Sequence, residues 1–490
     1  MNKPLRRIAI FAGLLIFALI ARANWLQFVQ ADELQSDDNN RRGLIERYSQ
    51  PRGDIFAADG TSLTGSKKTK TGDFEYKRTY KNGKLWAPVT GFSAQIYGET
   101  LLEGIYDEFL TGSDDRLFFD RTVGMVTGEK QSGGSILTTL MPSAQKAAYD
   151  QLEGKEGAAV AINPETGEIL ALASTPSYDP SKVAGMGEED QEAWTSLQKK
   201  NNPSQPMLNR ALRQTYPPGS TFKLVTATAA LESGKYTLDG KTDSPSPYHA
   251  PLSGRELPNW SETIPCENAS IRVALQYSCN NVFAKISEEL GNETMKETAE
   301  RFGFNEQQFV PVRTVASGFP QAEPDLNAYA GIGQGSVTAT PLQMAMVASA
   351  IANDGTMMQP YMVHKLRTPD LDVIEENKPE ELGEPMSGAT AQTIQEGMET
   401  VVADGGTGTN AQIPGVTVGG KTGTAEHGVG NDAKPYAWFV SYAKDADGGS
   451  PVAVAVVIES SDTVRSEIGG NALAAPVAKA VMQAVLEEKP

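Results

Sequence analysis

Five apolar runs constrain this chain more than any other feature, because they lie at opposite ends of its last two-thirds. Ala158 to Ile162 and Ile169 to Ala173 come early. Thr417 to Thr424, Ala437 to Tyr442 and Val452 to Glu459 come late. Each is short enough to be a strand. The turn sequence Asn163-Pro164-Glu165-Thr166-Gly167 makes the first two a hairpin. Between the two groups the pattern is helical. Thr221 to Glu232 reads as a helix ending at Gly234. Ile271 to Tyr277, and Val282 to Leu290 with its stop at Gly291, read as two more. Thr340-Pro341 caps a helix that runs to Asn353 and stops at Gly355. Pro142 to Leu152 precedes the hairpin as a helix, and Ala474 to Leu486 closes the chain as another. Strands enclosing a helical middle predict an α+β fold, an antiparallel sheet flanked by helices, in which the first hairpin must join the late strands.

The N-terminus adds a second constraint. Lys3, Arg6 and Arg7 precede an unbroken apolar run from Ile8 to Ala21. Positive charge on that side predicts a cytoplasmic tip and an exported body. The run fits a signal peptide, with Ala21-Arg22-Ala23 as a cleavage site. Apolar character resumes in Trp25, Leu26, Phe28 and Val29, so Ile8 to Val29 also fits a helix of about 33 Å, long enough to span. The expected reading is a retained single-pass anchor in the cell membrane, in contact with lipid and with an extracytoplasmic body; cleavage is the alternative. The net charge is −18, and residues 1–30 hold four cations and no acid, so the rest carries −22. Such a body repels phosphate backbones, which argues against nucleic acid. The two cysteines, Cys266 and Cys279, suggest a disulfide in an exported protein, with two buried thiols as the alternative.

The chemistry falls to serine and lysine. His249, His364 and His427 are the three histidines, and none stands in a metal-ligand motif, so no metal and no cofactor is expected. Ser220-Thr221-Phe222-Lys223 puts a hydroxyl and an amine on one side of a helix start, after the rigid Tyr216-Pro217-Pro218-Gly219. A lysine that has lost its proton there can act as general base towards the serine. Ser143-Lys146, Ser196-Lys199 and Ser441-Lys444 share the spacing without the turn. Ser278-Cys279-Asn280 lies between two helices and can present a hydroxyl relay and a side-chain amide; a plain helix cap is the alternative. Lys421-Thr422-Gly423-Thr424 sits in a strand, where Gly423 would let a ligand backbone approach and the lysine and threonines could receive a carboxylate. A second Lys-Thr-Gly, Lys70-Thr71-Gly72, stands in a charged loop ahead of the serine motif.

The order S-x-x-K, S-x-N, K-T-G is that of penicillin-binding proteins and serine β-lactamases. From about Gly157 onward the chain resembles the penicillin-binding transpeptidase domain. The likeness extends to Gly331-Ile332-Gly333-Gln334-Gly335, to Thr340-Pro341-Leu342-Gln343-Met344 and to Ala352-Asn353-Asp354-Gly355. Arg52-Gly53-Asp54-Ile55-Phe56 with Asp59-Gly60 is similar to the start of the pedestal in class B members, the actinobacterial A-type proteins in particular. The resemblance implies an anchor over 1–30, an elongated β-rich non-catalytic pedestal over 31–153 and a transpeptidase domain over 154–490. It implies peptidoglycan stem peptides and β-lactams as ligands, and a polytopic membrane glycosyltransferase as a partner. Residues 31–153 are too few and too polar to be a glycosyltransferase themselves. By resemblance Ser220 is the nucleophile and Lys223 its base. Ser278 and Lys421 handle the leaving-group proton, and Asn280, Thr422, Gly423 and Thr424 bind substrate. Three rivals remain: a β-lactamase using Glu323, a D,D-carboxypeptidase, and a β-lactam-binding scaffold without activity.

Overall fold

The computed structural model describes residues 3–35, 42–69, 73–119, 122, 132–199, 202 and 204–488. Lys70-Thr71-Gly72 lies outside them.

The early hairpin does join the late strands. One five-stranded sheet runs in the order Val418–Ala425, Tyr436–Ala443, Val452–Ser460, Glu156–Ile162, Ile169–Thr175, antiparallel throughout. Val160 pairs with Ala455 across the junction of the two chain ends. Both faces are covered, which is why these strands read as apolar runs rather than as an alternation of polar and apolar. Val160, Leu172, Trp438, Val440 and Ala455 face one core, shared with the helices Lys223–Glu232, Asn280–Arg301 and Pro341–Ala352. Ala159, Ala171, Phe439, Val454 and Val456 face the other, shared with Pro142–Leu152 and Ala475–Glu488.

Two helical expectations change in detail. Thr221 and Phe222 belong to a 3-10 turn, Gly219–Phe222, and the α-helix starts at Lys223. The stop at Gly291 is a break rather than an end. Gly291 has φ +80°, and helix resumes beyond it because Met295 and Ala299 bury on the same side.

The pedestal has its short strands. Thr64–Lys68 pairs with Tyr76–Tyr80, and Ser93–Ala94 with Gly98–Glu99. Between and after them stand short helices, Gly83–Thr90, Leu101–Ile105 and Asp107–Thr111, which weak periodicity did not announce. A buried carboxylate ties it together. Glu103 accepts from Arg52 Nε and Arg78 Nε, each at 2.6 Å, and from the Tyr80 hydroxyl at 3.3 Å. Burial alone would raise its pKa, but Arg78 and Arg52 outweigh it and hold the carboxyl below its ordinary range.

The expected boundary at residue 153 falls just after a helix that packs across it. Helix Pro142–Leu152 lies on the large sheet, where Gln145 donates to Leu172 O and accepts from Leu172 N. A pedestal sheet also borrows from the body that follows: Ser135–Thr138 pairs with Ile55–Phe56 on one side and with Val363–Arg367 on the other.

The N-terminal helix, Lys3–Phe28, spans 26 residues with mean hydropathy 1.9 in its most apolar window, and none of its residues is buried. At about 39 Å it is long enough to cross a hydrocarbon core of roughly 30 Å.

Candidate active site

The serine turn is built by close backbone approach. Gly219 has φ +53°, and a Cβ there would come within 2.9 Å of Thr424 O. Gly333 lies on the other side, where a Cβ would strike Gly219 O, and its carbonyl accepts from Gly219 N at 2.9 Å. The Gly331 to Gly335 segment and the Lys-Thr-Gly strand thus hold the turn from both flanks. Pro217 O accepts from Trp438 Nε1 at 3.0 Å, and Tyr216 OH donates to Glu459 at 3.0 Å. Ser220 comes out half-buried at the start of the turn. Lys223 follows one turn later, with no exposure at all.

Gly423 lets the serine turn approach the third motif closely. A Cβ there would meet Thr221 Cγ2 and Trp438 Cβ at 3.0 Å, so the glycine makes room for the serine turn.

The second motif is a tight corner between helices Ile271–Gln276 and Asn280–Arg301. Ser278 has φ +57°, unusual for a residue with a side chain. Cys279 N donates to Ala274 O at 2.9 Å, and Cys279 is joined to Cys266 by a disulfide, as the spacing suggested.

Four of the expected residues converge on one buried cluster. Lys223 Nζ donates to Ser278 O at 2.8 Å and to Asn280 Oδ1 at 2.8 Å, with Ser278 Oγ at 3.3 Å. Lys421 Nζ donates to the same Ser278 Oγ at 2.9 Å and to Thr422 O at 3.1 Å. Asn280 Nδ2 donates to Pro258 O at 2.8 Å, which turns Oδ1 towards the lysine. Thr422 donates to Thr407 Oγ1 at 2.9 Å, and Thr407 donates on to Gln276 O at 3.1 Å. Thr407, a residue no motif marks, thereby ties the third strand to the second corner. Thr424 is exposed on the open edge of the sheet.

Two buried amines beside one hydroxyl cannot both stay charged. Burial, and then the nearby Lys421, push Lys223 well below the ordinary lysine range. Burial brings Lys421 down to about 7. In its neutral form Lys223 is an amine with two N–H groups. Both are spent on oxygens that can only accept, Ser278 O and Asn280 Oδ1. The lone pair is left to take a proton.

The histidines stand apart from this cluster. His364 lies near Glu168 and Glu376 at 3.5 and 3.3 Å, His427 stacks on Tyr436, and His249 is exposed. Two of the other Ser-x-x-Lys pairs are occupied elsewhere: Lys146 bonds Asp150 and Lys444 bonds Glu399. Glu323 is exposed at the start of helix Pro324–Ala330.

The profile of the "Penicillin binding protein transpeptidase domain" matches residues 157–483, and that of the "Penicillin binding protein A dimerisation domain" matches 52–136. The chain belongs to the penicillin-binding protein transpeptidase family. It is 39% identical to the peptidoglycan D,D-transpeptidase PbpA of Mycolicibacterium smegmatis and 38% identical to that of Mycobacterium tuberculosis, with both chains covered in full. Penicillin-binding protein A from M. tuberculosis, solved as a ceftriaxone acyl-enzyme complex, superposes with a TM-score of 0.84 at 37% identity, over 90% of this chain and all of that one. The D,D-transpeptidase domain of a peptidoglycan glycosyltransferase from Eggerthella lenta superposes at 0.76 with 31% identity, over 90% of this chain and 99% of that one.

Proposed function

We infer that this penicillin-binding protein is a peptidoglycan D,D-transpeptidase working through an acyl-enzyme on Ser220. Ser220 Oγ attacks the penultimate D-Ala carbonyl of a stem peptide, and its proton passes to Lys223 Nζ. The backbone N–H groups of Ser220 and Thr424 hold the oxyanion, each donor contributing about 3 kcal/mol. The C–N bond then breaks. The departing D-Ala amine takes a proton through Ser278, whose hydroxyl Lys421 polarises. The amine of a second stem attacks the ester, forms the cross-link and frees Ser220. Asn280 binds the substrate amide, and Thr422, Gly423 and Thr424 receive its terminal carboxylate. β-Lactams acylate Ser220 in the same way and leave slowly.

The observation that carries this reading is Lys223: fully buried, with both hydrogens of its neutral form already placed. Lys3, Arg6 and Arg7 keep the tip of the N-terminal helix in the cytoplasm, and the helix remains in lipid as an anchor over 1–30, so the catalytic body works outside. Residues 31–153 act as the pedestal, in which the last helix docks on the catalytic sheet, and 154–490 act as the transpeptidase domain. The pedestal is the surface for a polytopic membrane glycosyltransferase. Intact-protein mass spectrometry tests the central step. Penicillin should add one penicilloyl group to the wild type and none to Ser220→Ala. A wild type that stays unmodified sinks the reading, and sustained hydrolysis of the drug would favour a β-lactamase instead.

A further inference from the structure

Asn280 begins helix Asn280–Arg301, and a helix start leaves N–H groups without partners. The residue at the cap is Cys279, which makes no side-chain cap because its sulfur is in the disulfide. The cap comes from 20 residues upstream. Asn259 Oδ1 accepts from Asn280 N at 2.6 Å and from Asn281 N at 3.4 Å. Its Nδ2 donates to Asn281 Oδ1 and to Ser246 Oγ, both at 3.0 Å. The residues beside it grip the same corner. Pro258 O accepts from Asn280 Nδ2 at 2.8 Å, and Trp260 Nε1 donates to Tyr277 O at 2.8 Å. Pro258, Asn259 and Trp260 therefore bracket Ser278 on both sides.

We propose that Asn259 is a positioning residue for the acylation step, capping the Asn280 helix from outside so that Asn280 Oδ1 is held against Lys223 Nζ. It touches no reacting atom. It acts through Asn280, which takes one of the two N–H groups of the base and so fixes where the lone pair points. When Asn259 is lost, the first N–H groups of the helix need water, and the corner at Ser278 opens to supply it. Placement errors of about 1 Å at such a site cost on the order of 100-fold in rate.

The inference rests on the acyl-enzyme reading above, and the test separates the two. Full-length protein in detergent micelles is labelled with a fluorescent penicillin, and the acylation rate constant is followed from pH 5 to 10. Asn259→Leu keeps the volume and removes the cap. It should slow acylation by about 10- to 100-fold and move the acid limb of the profile upward, because water reaches an amine that burial had depressed. Asn259→Asp keeps an oxygen for both N–H groups but no donor for Asn281 Oδ1, and should recover most of the lost rate, within about tenfold of wild type. Should Asn259→Leu fail to fold, Asn259→Ala opens the same gap without added apolar surface. A Leu or Ala variant that acylates at the wild-type rate overturns the inference, as does an Asp variant as slow as either. A wild type that never acylates would instead sink the reading on which it rests.

Discussion

Exchange of Lys421 for methionine separates what the site does for the fold from what it does for the reaction. Lys421 has no exposure, and burial brings its pKa from 10.5 to about 7. At 1.36 kcal/mol per unit, keeping it charged in the folded protein costs about 5 kcal/mol. Methionine avoids that cost. It forfeits the bonds from Nζ to Ser278 Oγ and Thr422 O, worth about 1 kcal/mol each. At pH 6 the variant should therefore be about 3 kcal/mol more stable. The sign with pH follows from proton counting. The unfolded lysine keeps its proton up to about 10.5, while the folded one loses it near 7. Across that window the unfolded state binds more protons, so the wild type gains stability as pH rises and loses it again as pH falls back to 7. Methionine does not titrate. Melting curves of wild type and Lys421→Met should differ by several degrees at pH 6 and converge near pH 9.5, while penicillin labelling of the variant falls at every pH. A gap that does not change between the two pH values, or a wild type that melts higher at pH 6, would refute the claim that this amine is desolvated.

Lys223→Arg puts a cation that cannot lose its proton where the base stands. Acylation should fall about 100- to 10,000-fold, and the labelling rate should show no acid limb between pH 5 and 10. In the pedestal, Glu103→Gln leaves Arg52 and Arg78 without the carboxylate each meets at 2.6 Å; the three side chains are 0, 7 and 1% exposed. Breaking such a buried pair costs roughly 3–5 kcal/mol, which thermal melting should read as a large drop; an unchanged melting point would show the charges to be compensated elsewhere.

The sheet was legible because its strands are buried on both faces. Runs such as Val452 to Glu459 have no polar phase, and a run of that kind has few places to go but a covered sheet. Ser220, Lys223, Ser278, Asn280 and Lys421 were legible as an ordered set, since a fixed order of three short motifs is rare by chance. What stayed hidden depends on approach between distant segments. Nothing local in Ser135–Thr138 says that it pairs with Val363–Arg367, more than 200 positions on. That Gly423 also makes room for Thr221 and Trp438 was hidden, because those neighbours come from other elements. Asn259 and Thr407 belong to no motif, and only their hydrogen bonds reveal them. Burial of the two lysines is equally invisible in a sequence, although it is what lowers the pKa of both amines.

The corner at Ser278 shows why that burial needs so many supports. A residue with a side chain at φ +57° carries about 1–2 kcal/mol of strain that glycine would avoid. Glycine cannot stand there, because the hydroxyl is the one oxygen both amines reach, at 3.3 and 2.9 Å. The strain has to be held in place by neighbours instead. Cys279 N bonds Ala274 O on the inner side, Trp260 holds Tyr277 O, and Asn259 with Pro258 holds Asn280 on the outer side. Each support fixes backbone or amide next to Ser278 and leaves its hydroxyl to Lys223 and Lys421. A corner held by its own hydroxyl would have spent the group that the proposed reaction needs.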